Sequence, residues 1–112
     1  MSNKRFQDET GVVTRTDQQQ KLARPRPYKV IFHNDDFTTM EFVQAVLMHI
    51  YGHSETDATA IMLNVHRTGA GIAGIYPFAV AEAKVGETIK AAESNDFPLL
   101  VTLEPEDPDD VE

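Results

Sequence analysis

The chain has no cysteine. That excludes a disulfide framework, a thiol nucleophile and a thiolate-bound metal, and it fits a reducing compartment. Also missing is any run of the roughly 18 consecutive apolar residues that a membrane-spanning helix needs, and the opening MSNKRFQDETGVV has no continuous apolar stretch of the kind that directs export. The sequence therefore predicts a soluble, cytoplasmic protein without a membrane partner. Positive charge is scarce, with 10 Lys and Arg against 18 Asp and Glu, a net charge of −8. Nonspecific nucleic-acid binding depends on cations neutralising phosphates and is disfavoured, whereas cationic groups are favoured as ligands.

What is present is enough for one core and not for two: 112 residues, 41% of them apolar. Residues 1–26 hold six Lys or Arg against three acids and finish in the Arg24-Pro25-Arg26-Pro27 stretch, which resists helix formation. They are predicted to form a disordered arm. Residues 105–112 combine proline with dense negative charge and are predicted to form an acidic disordered tail. Between them, residues 27–104 carry the domain.

Tyr28, Val30 and Phe32 share one face at period two, the pattern of a strand, which stops at Asn34-Asp35-Asp36. Thr38-Thr39-Met40-Glu41 has the Thr-x-x-Glu form of a capping box, and Val43, Val46, Leu47 and Ile50 follow at helical spacing up to Gly52. Ser54-Glu55-Thr56-Asp57 opens a second helix whose buried face is Ala58, Ile61, Met62 and Val65, with His66 close to its carboxyl end. A strand over Ile72 to Tyr76 precedes Pro77, which suits the start of a third helix with Phe78, Ala81, Val85 and Ile89 as its stripe. Leu99 to Leu103 forms the last strand. The predicted fold is α/β (α+β): a small three-stranded antiparallel sheet with three helices on one face, in the order βααβαβ.

Two readings of the Asn34-Asp35-Asp36 loop stand side by side. Short polar side chains bond their own backbone, so the segment can be an ordinary turn, or it can be an exposed acidic site on a rigid scaffold. Likewise Met40, Val43, Met62 and Val65 can be plain core or the walls of a pocket beside that loop. His49 and His53 are four apart, but Gly52 lies between them and the H-E-x-x-H pattern is missing, so no metal or other cofactor is expected. Gly69-Ala70-Gly71-Ile72-Ala73-Gly74 lacks the Lys of a phosphate loop, and no serine sits in a nucleophile elbow. The chain does not read as an enzyme.

Tyr28-Lys29-Val30, Asn34-Asp35-Asp36 and Met40-Glu41-Phe42-Val43 in register resemble the ClpS family of protease adaptors, as do Ile61-Met62-Leu63-x-Val65-His66, Val80-Ala81-Glu82-x-Lys84-Val85 and Pro98-Leu99-Leu100 further on. The resemblance implies a monomeric adaptor of ClpS-like fold. It would capture N-degron proteins, whose destabilising first residue is Leu, Phe, Tyr or Trp, and hand them to the N-terminal domain of a ClpA- or ClpC-type AAA+ ATPase for degradation by ClpP. It implies that Asn34, Asp35 and His66 hold the substrate's α-ammonium. Thr38, Met40, Val43, Met62, Val65 and Leu99 would line the side-chain pocket, Asp36 would belong to the same loop, and Lys84 would help dock the ATPase. Thr39, Phe37 and His33 replace the proline, tyrosine and aliphatic that are usual in the family, and Ala79 replaces a frequent Glu. The chemistry is coherent, because an ammonium only donates and its partners must accept. An imidazole accepts only through an unprotonated nitrogen, so the neutral form is required of His66. The alternative is a protein-interaction domain of similar small α/β fold that does not read amino termini.

Overall fold

The computed structural model describes residues 26–106. The expected arm and tail, apart from their innermost residues, lie outside the described residues. The elements follow the expected order: β1 (Pro27–His33), α1 (Met40–His49), α2 (Glu55–Thr68), β2 (Ala70–Pro77), α3 (Phe78–Ser94) and β3 (Leu100–Pro105). β1 is central and runs antiparallel to both neighbours, giving the sheet order β2-β1-β3. Its alternation decides the inner face, since Val30 and Phe32 are fully buried and Lys29, Ile31 and His33 point the other way. Against that inner face pack Val43, Val46 and Leu47 of α1, Ala58 and Val65 of α2, and Ala81 and Ala92 of α3, forming one core with Ala73 and Val101. No helix among the described residues is long and apolar enough to cross a membrane.

Helix starts follow the capping chemistry with one correction. Ser54 caps α2 as expected, its hydroxyl accepting from the Asp57 amide at 3.1 Å. For α1 the cap is Thr39, which accepts from Phe42 N at 3.1 Å, so the expected Thr38-to-Glu41 box is displaced by one residue. The reason is local: Thr38 is already engaged by Asp35 through both its amide and its hydroxyl. Gly52 (φ 75°) and Gly69 (φ 97°) end α1 and α2 in backbone conformations that L side chains rarely adopt.

The α3 stripe also differs from expectation. Ala81, Thr88 and Ala92 are buried and Val85 half-buried, while Phe78 and Ile89 remain 45% and 39% exposed. Small residues let the helix approach closely, and Thr88 is tolerated inside because its hydroxyl bonds Tyr51 Oη at 2.8 Å and the Lys84 carbonyl at 2.7 Å. In β2 the register slips so that Val30 pairs with Gly74 and Ile31 with Ile72, leaving Ala73 as a bulge residue. Its carbonyl is bonded by His53 Nε2 at 2.5 Å. A carbonyl only accepts, so that nitrogen carries the proton and His53 is a structural histidine.

Candidate functional site

The site begins with a carboxylate that shapes its own loop. Asp35 Oδ1 accepts from the amides of Phe37 (2.8 Å) and Thr38 (2.7 Å), and Oδ2 accepts from the Thr38 hydroxyl (2.8 Å). Partial burial pushes the Asp35 carboxyl up, but the bonds from the Thr38 amide, the Thr38 hydroxyl and the Phe37 amide outweigh it and hold the group below the usual aspartate range. It is ionised at neutral pH. A carboxylate offers about four acceptor directions, so with three filled one remains on Oδ2 for an external donor.

Two backbone features bring α2 to this loop. The Asn34 amide donates to the carbonyl of Gly69, the residue that caps α2, at 2.9 Å, which places Asn34 at the same end of the molecule as His66 in the last helical turn. Gly71 then lets β2 run directly beneath α2: a Cβ there would lie 2.8 Å from Val65 Cγ2 and 3.1 Å from Asn64 Nδ2. That contact fixes the height of Val65, and therefore of its neighbour His66, above the sheet.

Together these elements enclose an open cavity of about 380 Å³. The loop supplies Asn34 to Thr39, α1 supplies Met40, Glu41 and Val43, and α2 supplies Met62, Val65 and His66. The lining combines residues that can accept, with an amide oxygen, a carboxylate and an imidazole nitrogen among them, and an apolar set of two methionines and two valines. Such a cavity can take a cationic donor and an adjoining apolar side chain at once. Among the described residues no three of His, Asp or Glu gather as metal ligands would.

Of the residues proposed from the sequence, Asn34, Asp35, Asp36, Thr38, Met40, Val43, Met62, Val65 and His66 line this one cavity. Leu99 is not among the residues that line it: it is 8% exposed and packs in the core, while Leu100, which pairs with His33, takes the outward position. Lys84 lies elsewhere, its ammonium donating to the Ile50 carbonyl at 2.8 Å and lying 5.8 and 5.2 Å from the ring centroids of Tyr51 and Tyr76. It therefore braces the far end of α1. Glu41, read from the sequence only as a capping residue, also lines the cavity, as do Phe37 and Thr39. The signal available for them was adjacency, since the first turn of a helix faces the loop that leads into it.

The family model for the ATP-dependent Clp protease adaptor protein ClpS matches residues 23–102. The chain belongs to the ClpS family. It is 48% identical over 103 residues to the ATP-dependent Clp protease adapter protein ClpS of Myxococcus xanthus, covering 92% of this chain and 96% of that relative. It is 50% identical over 91 residues to the ClpS of Desulfatibacillum aliphaticivorans, covering 81% and 88%. Among solved structures it resembles that of Agrobacterium tumefaciens ClpS2 bound to L-phenylalaninamide, with a TM-score of 0.71, 37% identity, and 74% of this chain and all of that one covered. As a ClpS protein it is an adaptor rather than an enzyme, and a Clp ATPase and substrate proteins are its partners.

Proposed function

We infer that this adaptor captures the free amino terminus of N-degron proteins together with a bulky hydrophobic first side chain, Leu, Phe, Tyr or Trp. It then delivers them, as a monomer, to the N-terminal domain of a ClpA- or ClpC-type ATPase. The observation that carries this reading is that acceptors and apolar walls share one cavity: Asn34, Asp35 and His66 line it together with Met40, Val43, Met62 and Val65. An α-ammonium and its side chain stand on the same Cα, so one cavity has to serve both. The structural relative's ligand supports it, since L-phenylalaninamide has a free α-amine and an aromatic side chain. In this reading Asn34 and His66 accept from the ammonium, Asp35 adds the charge and the free acceptor of Oδ2, and Asp36 adds to the negative field. Ala79 and Lys84 on the first two turns of α3, beside the exposed Phe78 and Val80, form the ATPase-docking region.

Burying the first side chain contributes about 1.5 to 3 kcal/mol, which is a preference of tenfold or more over glycine. Fluorescence anisotropy with peptides differing only in a first residue of Leu, Phe, Ile or Gly, and with acetylated Leu, tests the reading. Leu and Phe should bind, Gly and acetylated Leu should not, and Ile should be disfavoured by its branched Cβ against the rim. Equal affinity for free and acetylated Leu would sink it.

A further inference from the structure

Phe37 is the most exposed large hydrophobic residue among those described, at 74%. It is not anchored in the core, and it forms none of the aromatic pairs found among the described residues. An exposed phenylalanine is unremarkable by itself, but this one lines the cavity, alongside the carboxylates of Asp36 and Glu41. Its backbone is also held, because the Phe37 amide donates to Asp35 Oδ1, the carboxylate that takes both donors of Thr38 as well. The ring is therefore presented from a fixed base, at the mouth, with negative charge on either side of it in the sequence and in the same lining.

We propose that Phe37 reads the second residue of the bound substrate, as a stacking platform for a flat cationic side chain, arginine above all. The proposal rests on the amino-terminus reading of the cavity. If the first side chain is buried against the apolar walls, the next Cα lies about 3.8 Å on, and the second side chain is placed toward the mouth where Phe37 stands. A guanidinium there lies over an aromatic face while Asp36 and Glu41 offer carboxylates, the combination that favours Arg over the compact ammonium of Lys. At an exposed site the stacking is worth roughly a two- to five-fold change in affinity.

The test uses the full chain and free peptides Phe-Arg, Phe-Lys, Phe-Gly and Phe-Glu with a common remainder, plus acetylated Phe-Arg, against the native protein, Phe37→Ala and Phe37→Trp. The expected result is Arg bound more tightly than Lys, and Lys more tightly than Gly and Glu. Phe37→Ala should reduce the Arg-to-Lys ratio by two- to five-fold, and Phe37→Trp should restore or raise it. An Arg-to-Lys ratio that is the same in all three proteins overturns the proposal, as does a loss in Phe37→Ala that is equal for every second residue. Acetylated Phe-Arg binding as well as the free peptide would instead overturn the amino-terminus reading, a separate outcome because it does not depend on residue 37.

Discussion

Asp35 holds its own turn and lines the cavity at the same time. Its three internal bonds are those of an ordinary polar turn, yet the same bonds aim the carboxylate into the cavity and keep it ionised. The turn reading and the binding reading that the sequence left open are therefore compatible in one structure, and no residue statistic could separate them. Replacement separates their effects. Asp35→Asn keeps an oxygen for the two amides while removing the charge, so it should weaken peptide capture with little loss of stability. Asp35→Ala leaves those amides and the Thr38 hydroxyl unpaired and should lower both, which parallel anisotropy and thermal melts would show. The pH behaviour follows from the direction of the shift. A carboxyl held below its ordinary value stabilises the fold at pH above the unfolded value near 3.9, and that contribution is lost as pH falls through the lowered folded value. Urea midpoints at pH 7 and pH 3 should accordingly fall further in the native protein than in Asp35→Asn. An equal fall would show that the loop bonds do not favour the ionised form.

At the level of elements, periodicity carried the order βααβαβ, because each helix and strand keeps its apolar residues at one spacing. The details that failed did so where size or parity decided. The α3 stripe was assigned to Phe78, Ala81, Val85 and Ile89; Ala81 is buried as expected, but close packing selected Thr88 and Ala92 in place of Phe78 and Ile89. Leu99, expected as the first residue of the last strand, stands one residue before β3, whose facing is set by pairing with β1, which no local pattern reports. The caps were legible to within one position, and Thr39→Ala should cost about 1 kcal/mol as the loss of an N-cap. Thr38→Val should instead act through Asp35. The element most exposed to a single change is α2, since Gly71 permits its contact with β2. Gly71→Ala would drive a methyl toward Val65 Cγ2, costing about 1 to 3 kcal/mol as overpacking. Because Val65 and His66 line the cavity, peptide affinity should fall with stability. A Gly71→Ala protein with native affinity would mean that the height of α2 does not set the site.

Across the whole molecule, the cavity and the Lys84 cluster hold opposite ends of α1, Met40 at one and the Ile50 carbonyl just past the other. The cluster ties three elements: Tyr51 follows α1, Thr88 and Lys84 belong to α3, and Tyr76 lies in β2. Burial pushes the Tyr51 hydroxyl up to about 12 even though Thr88 bonds it, so it stays neutral across any ordinary working pH. A Lys84 variant that delivers substrate poorly therefore has two explanations, a lost docking charge or a loosened α1. Thr88→Val distinguishes them, since Thr88 is fully buried and cannot touch a partner. Removing its hydroxyl leaves Tyr51 Oη with only the Lys84 carbonyl at 3.4 Å, a cost of about 1 to 3 kcal/mol and several degrees of Tm. Lys84→Met, which removes the donor to Ile50, should lower Tm comparably. Both should keep native peptide affinity, because the cavity lies at the other end of the helix. With the ATPase and protease present, at a temperature well below either Tm, Lys84→Met should slow degradation of a Phe-initiated substrate and Thr88→Val should not. If both slow it equally, Lys84 acts on delivery by holding α1, and the docking charge must be sought elsewhere on α3.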